Sequence, residues 1–283
     1  MSIGVSPAYF ISKFGDDFTP DDIISSLAQL REKGYQDFQV EIRHALAMSW
    51  WNRMALDKLA KACGDCGMFV SQFICHHWME DLSVSSRILS TPDLDACQRT
   101  LNIADALVGC MQVTVPLAKG VIDHVRTCGQ AAYDSTISAL ATRIASLVDL
   151  VAQHGKRMAL ELQPGSFVGS ADSFLRFCDL VGNEKPLYYN FDTGHAHACK
   201  ESVHLIPFKL GSRIIGTHLC DNFGNENLSL APGDGSIAWD MLFAALADTG
   251  YRGAYDIEIL CGRNEVETAY RRAHEFVSTL AVR

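Results

Sequence analysis

One rhythm constrains this chain more than any other feature: a short apolar run, a turn, an amphipathic helix and a glycine, repeated eight times. The apolar runs that read as strands are Ile3–Ser6, Phe38–Ile42, Met68–Ile74, Leu107–Val115, Arg157–Leu162, Leu187–Phe191, Arg213–Leu219 and Ala254–Leu260. Helix signals fall between them. Thr19-Pro20-Asp21-Asp22 and Thr91-Pro92-Asp93 each read as an N-cap followed by Pro and first-turn acids. Ile137, Leu140, Ile144, Leu147, Val148 and Val151 recur at helical spacing before Gly155, and Ser170 can cap a helix carrying Phe174, Phe177 and Val181. Alternating strands and helices require a parallel sheet, and eight units in 283 residues predict an α/β fold, a (β/α)8 TIM barrel, as a single domain over residues 1–283. A doubly wound open sheet is the alternative, but the chain has neither a GxGxxG nor a Walker sequence.

Composition narrows the partners. With 24 Lys and Arg against 33 Asp and Glu, the formal charge is −9, and no basic run is present. Nucleic acid and anionic membranes both demand clustered cations, so neither is expected as a partner. The reading finds no apolar run of about 18 residues, so no membrane span is expected. The N-terminal MSIGVSPAYFISKFG has no basic start and no long apolar core, which predicts a cytoplasmic protein. The ten cysteines are scattered, and only Cys63 and Cys66 form a CxxC. Reduced, mostly buried cysteines are expected.

In a barrel, chemistry gathers where strands end. Strand five ends Leu-Glu161-Leu-Gln163, and strand six ends Asn190-Phe-Asp192-Thr-Gly-His195-Ala-His197. Strand seven ends Thr-His218-Leu-Cys-Asp221-Asn222, and strand eight carries Ile-Glu258-Ile. Glu161 and Glu258 sit between apolar neighbours that point the other way, which aims both carboxylates into the barrel mouth. Singly, each residue has a plain structural explanation: a paired strand Glu, a turn-forming Asp, a core His. Together, four converging acidic or imidazole groups need a shared counter-charge, and strands five to eight carry few cations. The set Glu161, Asp192, His218 and Glu258 is a mixed oxygen and nitrogen shell suited to one divalent metal ion, Mn²⁺ foremost, with Co²⁺, Mg²⁺ or Zn²⁺ as alternatives. A metal-free carboxylate cluster is the competing reading.

The succession Leu-Glu161-Leu, Phe-Asp192-Thr-Gly-His195, Thr-His218-Leu-Cys-Asp221-Asn222-Phe-Gly, Ala-Pro232-Gly-Asp-Gly235, Gly250-Tyr-Arg-Gly253 and Ile-Glu258-Ile resembles the xylose isomerase-like TIM-barrel superfamily, in particular its sugar phosphate isomerase/epimerase branch. The resemblance implies that Glu161, Asp192, His218 and Glu258 are metal ligands. It also implies that Glu161 and Glu258 are paired catalytic acid/base groups, and that His195 binds substrate. The activity implied is a metal-dependent isomerase or epimerase of a small keto-sugar or related polyol ketone, working through an enediolate. A lyase or dehydratase acting on an inosose-like ketone or a 3-keto-glycoside is the alternative, and a sugar-binding barrel is the non-enzyme alternative.

Two departures sharpen this. Relatives often carry Asp-x-His where this chain has Asn227 and Ser229, and a second His where it has Cys220. The endonuclease IV branch uses that pair for extra zinc, so one metal rather than three is expected here. The ketose 3-epimerases carry an Arg shortly after the strand-seven His, whereas between His218 and Glu258 this chain has only Arg252. In the first half, Glu41, Arg43 and His44 end strand two, and His76, His77 and Trp78 end strand three. From these, Arg43 and His77 are the candidate substrate contacts, with a solvated loop as the other reading. The expected partner is a small-molecule carbohydrate, and a homo-oligomer is compatible with the chain.

Overall fold

A computed structural model describes residues 2–123 and 129–281. Eight parallel strands form one sheet: β1 (Ile3–Val5), β2 (Asp37–Glu41), β3 (Phe69–Ile74), β4 (Gln112–Leu117), β5 (Arg157–Leu162), β6 (Leu187–Asp192), β7 (Ile214–His218) and β8 (Tyr255–Ile257). From β1 to β7 each strand pairs with its sequence neighbours, and β8 pairs with β1. Closure between β7 and β8 rests on Leu219, whose N–H donates to the Asp256 carbonyl (2.8 Å) and whose carbonyl accepts from Glu258 N–H (3.0 Å). The (β/α)8 TIM barrel expected from the alternation is therefore the fold. Apolar side chains between strands and outer helices make the main core, with Phe38, Phe73, Phe174 and Phe191 fully buried.

The capping arguments hold at several helices. Thr19 and Asp22 form a reciprocal capping box at helix Pro20–Glu32, and Ser170 Oγ accepts from Ser173 N–H at helix Ala171–Val181. The second Thr-Pro-Asp differs from expectation. Asp93, not Thr91, is the N-cap, accepting from Ala96 N–H at 2.9 Å, so that helix starts at Leu94. The fourth strand also shifts, from the expected 107–115 to 112–117. Leu107 ends a helix, and Leu107 and Cys110 are buried beneath that turn, so their apolarity marks a packed corner rather than a strand.

A further correction concerns membrane spans. Helix Gln130–Gln153 is long and apolar enough to cross a bilayer by length and composition. Its buried face, with Leu140, Ile144, Leu147 and Val151, packs as one of the outer helices of the barrel. Among the described residues the cysteines are free thiols, including Cys63 and Cys66; Cys128 lies outside the described residues.

Strand pleating stacks the barrel interior in layers, because residues two apart share a face. Glu41, Glu161, Asp192, His218 and Glu258 lie at or just past strand ends. Two residues earlier on the same strands stand Gln39, Ala159, Asn190, Gly216 and Asp256. An extra residue in β3 relative to β2, between Val70 and Phe73, turns two successive side chains inward. Ser71 reaches Asp256 (2.9 Å) and Gln72 reaches Asn190 (3.0 Å). The layer beneath the strand ends is thus a buried polar network and not an aliphatic plug.

Candidate metal centre

Asp192 sits where β6 gives way to the short helix Thr193–Ala198, and it caps that helix: Oδ1 accepts His195 N–H at 2.8 Å. The chain must double back tightly here. A Cβ on Gly194 would lie 2.4 Å from Cys220 Sγ and 2.5 Å from Asn227 Oδ1, so only glycine fits. The second oxygen, Oδ2, faces the barrel axis, 3.2 Å from His195 Nδ1 and 3.8 Å from His218 Nδ1. The turn-forming and site-facing readings of this aspartate are therefore both true, each of a different oxygen.

Glu161 and Glu258 converge on the same histidine. His218 Nδ1 is 3.2 Å from Glu161 Oε2 and 3.0 Å from Glu258 Oε2. Glu161 Oε1 is 3.4 Å from His195 Nδ1, and its Oε2 accepts from Asn190 Nδ2 at 3.2 Å. Among the described residues, only histidines pair with these three carboxylates. Three buried polar atoms have no hydrogen-bond partner and all face this spot: Asp192 Oδ2, His195 Nδ1 and His218 Nδ1. Such a shell could hold a cation, since unpartnered buried polar atoms and like charges are otherwise expensive. Ligand atoms come within 4.8 Å of one another in two groups, Glu161, Asp192 and His195, and Asp192, Cys220 and Glu258. Carboxylate oxygens and imidazole with one thiol alongside could hold a divalent ion of the Mg²⁺, Mn²⁺, Co²⁺ or Zn²⁺ type.

The electrostatics follow from this crowding. Burial alone would raise Glu161, but the adjoining His218 and His195 outweigh it and hold the carboxyl down at about 2. Asp192 goes the other way, pushed up to about 6 by burial and by the neighbouring glutamates. Burial works against protonation of His218, yet Glu161 and Glu258 raise it well above the ordinary imidazole range. For Glu161 and His218 the attraction between imidazole and carboxylate wins over desolvation, and for Asp192 burial wins.

The structure brings Glu161, Asp192, His195, His218 and Glu258 together. His77 it places elsewhere: its ring bonds the Ile42 carbonyl (3.0 Å) and Thr100 Oγ1 (2.9 Å), and it lines a separate cavity beside Met48 and Trp78. The preceding residue, His76, is half-buried. It lies within electrostatic reach of Glu161 and Arg43, and burial lowers it to about 4, so it stays neutral. The reason is local: a one-turn helix over His76–Trp78 sends successive side chains in different directions, which spacing alone does not resolve. Arg43 pairs with Asp16 at 3.5 Å and acts on Glu41 and His76 from the rim. Trp51 and Trp78 are buried in the core, while Trp50 is half exposed.

Glu41 is the carboxylate that the site assignment passed over. It is buried, within reach of Glu161, Glu258 and His218, and burial pushes its carboxyl up to about 8. Asn190, Gln39 and Asp256 were also not singled out. Their signal is positional: each lies two residues before a strand-end site residue and so beneath it. Asp221 has a different role. Its carboxylate accepts from the N–H groups of Asn222, Gly233 and Ile237 and from Trp239 Nε1, which folds the loop after β7. Asn227 and Ser229 bond one another in that loop.

Comparison with known proteins bears on the fold and the family. A stretch of 86 residues is 34% identical to the uncharacterized protein y4fM of Sinorhizobium fredii, and covers 30% of this chain and 28% of that protein's length. Among solved structures, a D-psicose 3-epimerase from Clostridium cellulolyticum H10, solved with D-tagatose, superposes with a TM-score of 0.75 at 15% identity, covering 99% of both chains. The probable 3-DHS dehydratase AsbF of Bacillus anthracis, involved in petrobactin synthesis, gives a TM-score of 0.75 at 14% identity over 98% of this chain and 99% of that one. These two likenesses establish the fold. The model of the xylose isomerase-like TIM barrel family matches residues 27–280, and the chain belongs to that family.

Proposed function

We propose that this protein is a divalent-metal-dependent isomerase or epimerase of a small keto-sugar or polyol-derived ketone. The observation that carries the reading is the cluster of three unpartnered buried atoms, Asp192 Oδ2, His195 Nδ1 and His218 Nδ1, beside Glu161 and Glu258. Glu161, Asp192, His218 and Glu258 would hold the ion. When bound, it supplies Lewis-acid polarisation of a carbonyl and its neighbouring hydroxyl, which makes the adjacent C–H acidic. Glu161, ionised at neutral pH, accepts that proton, with Asn190 fixing the carboxylate by its 3.2 Å hydrogen bond. Glu258 returns a proton. Return to the same carbon inverts it, and return to the neighbouring carbon moves the carbonyl. His195, beside the ligands, orients a substrate oxygen. Support comes also from the fold likeness to an enzyme described as a sugar 3-epimerase.

A second reading, dehydration, is favoured by Glu41, whose raised carboxyl carries a proton at neutral pH and would give it to a departing hydroxyl. A protein described as a probable dehydratase is among the structural neighbours. One experiment separates the cases: Mn²⁺-loaded protein with a panel of ketoses and inososes in D₂O, read by NMR. Deuterium at the carbon beside the carbonyl with no loss of water is the expected result. Loss of water selects the dehydratase. Absence of exchange across the panel would overturn both in favour of a sugar-binding barrel.

A further inference from the structure

His218 meets the candidate metal centre with one ring nitrogen only. The other, Nε2, points into the layer beneath, where Gln39 Oε1 lies 2.8 Å away. Gln39 Nε2 in turn lies 2.7 Å from Asp256 Oδ2, with the Thr217 carbonyl at 3.5 Å. Both neighbours of that nitrogen accept hydrogen bonds, so it is the NH₂ end of the amide, and the oxygen end faces His218. An amide oxygen cannot donate. His218 must therefore carry hydrogen on Nε2 in either charge state, which leaves Nδ1, facing the three carboxylates, as the nitrogen that gives up its hydrogen to an ion and offers a lone pair.

Asp256 is the fixed point of this chain. It is fully buried, and Oδ2 also accepts from Ser71 Oγ at 2.9 Å, through the extra residue in β3. Oδ1 is buried without a partner and occupies the space where a Cβ on Gly4 would lie, 1.9 Å away. Among the described residues no Lys or Arg pairs with Asp256. Packing alone does not call for such a residue, since an apolar side chain would fill the space without the desolvation penalty. Burial pushes this carboxyl up to about 7, but Oδ2 already accepts from Ser71, so a proton sits on the unpartnered Oδ1 and Gln39 donates to Oδ2 in either charge state.

We propose that Gln39 and Asp256 are positioning residues that hold His218 in the Nε2–H form and so prepare Nδ1 as a ligand. Histidine ligands commonly donate their second N–H straight to a carboxylate or carbonyl; here an amide carries the effect of a carboxylate one layer deeper. The inference rests on the metal-site reading and adds to it two residues that touch neither ion nor substrate.

The test titrates Mn²⁺ alone into the chelator-treated full chain by calorimetry, with the metal-free Tm recorded in parallel. Gln39→Leu removes the acceptor and is expected to weaken Mn²⁺ binding about 10–100-fold. Gln39→Glu, in its protonated form, offers the same carbonyl to His218 and the same donor to Asp256; it is expected to stay within about threefold of the unaltered chain, in line with retained geometry. Asp256→Asn frees the amide to turn and is expected to weaken binding, but to add nothing in the Gln39→Leu background. Unaltered affinity in Gln39→Leu or in Asp256→Asn would overturn the proposal, as would Gln39→Glu behaving like Gln39→Leu. Should a variant not fold, ¹⁵N–¹H spectra of histidine-labelled unaltered chain decide. A hydrogen on His218 Nε2 is expected both without metal and with Zn²⁺ bound, with Nδ1 bare in the loaded chain, and a bare Nε2 in either state overturns the proposal. An unaltered chain that takes up no Mn²⁺ overturns the metal-site reading instead, and the same spectra still judge the tautomer.

Discussion

Asp192 and His195 are joined twice: Asp192 Oδ1 holds the His195 main-chain N–H at 2.8 Å, while Oδ2 faces the His195 ring nitrogen at 3.2 Å. One carboxylate thus starts a helix and completes a ligand shell, and the two tasks separate by substitution. Asp192→Asn keeps an oxygen for the cap and replaces the site-facing oxygen with an NH₂ group. Its metal-free Tm should match the parent or exceed it, while calorimetric Mn²⁺ affinity should fall by about 100-fold or more, given the loss of a charged ligand. Asp192→Ala should lose the cap as well, at about 1 kcal/mol. Parental Mn²⁺ affinity in Asp192→Asn would remove this residue from the ligand set.

The two glutamates should be individually indispensable. Glu161→Gln and Glu258→Gln are expected to reduce turnover of any ketose that the parent converts by about 10³-fold, in the range of general acid–base catalysis. Circular dichroism and Tm should show both variants folded. Parental rates in either would sink the acid/base assignment.

Asp221 organises a loop without touching the metal centre. Its four donors, Asn222, Gly233 and Ile237 N–H and Trp239 Nε1, lose one acceptor oxygen in Asp221→Asn and gain an opposing NH₂. Buried donors left unsatisfied predict a loss of about 3 kcal/mol in urea unfolding. A loss below about 0.5 kcal/mol would show that these contacts are replaced by water.

Asp37, at the opposite end of the barrel, gives a pH signature. Burial raises its carboxyl to about 6, above the value of about 3.9 in an unfolded chain. The native state therefore holds this proton more tightly. The contribution to stability is fully present below about pH 4 and is lost as pH rises through 6. Asp37→Asn should remove that loss, so its advantage over the parent should grow between pH 4 and pH 7 and then level off, by about 1–2 kcal/mol in chemical denaturation. A pH-independent difference would contradict the assignment.

Much of the architecture was legible because it depends on local physics. Strand β5 runs over Arg157–Leu162 as its alternation predicts, and the Thr19–Asp22 capping box follows from residues three apart. Leu107 and Thr91 misled for a related reason: apolarity and a cap-like triplet report burial and turn chemistry, and a packed helix corner has both. The site residues were visible as types at strand ends. Their partners were not, because Gln39 and Asp256, and likewise Gln72 and Asn190, are contributed by strands far apart in the chain and meet only when the barrel forms.

By itself the sequence determined the eightfold alternation, hence the barrel, and placed Glu161, Asp192, His218 and Glu258 at strand ends; these follow from a period of two and from helix capping, which act within a few residues. Only the tertiary structure decided which atoms of those residues face one another. It put His77 on Thr100 in a separate cavity, set one oxygen of Asp192 on a helix and the other on the barrel axis, and buried an amide and a carboxylate beneath His218. The direction of a hydrogen bond depends on every neighbour at once, and those neighbours are assembled only when the barrel closes.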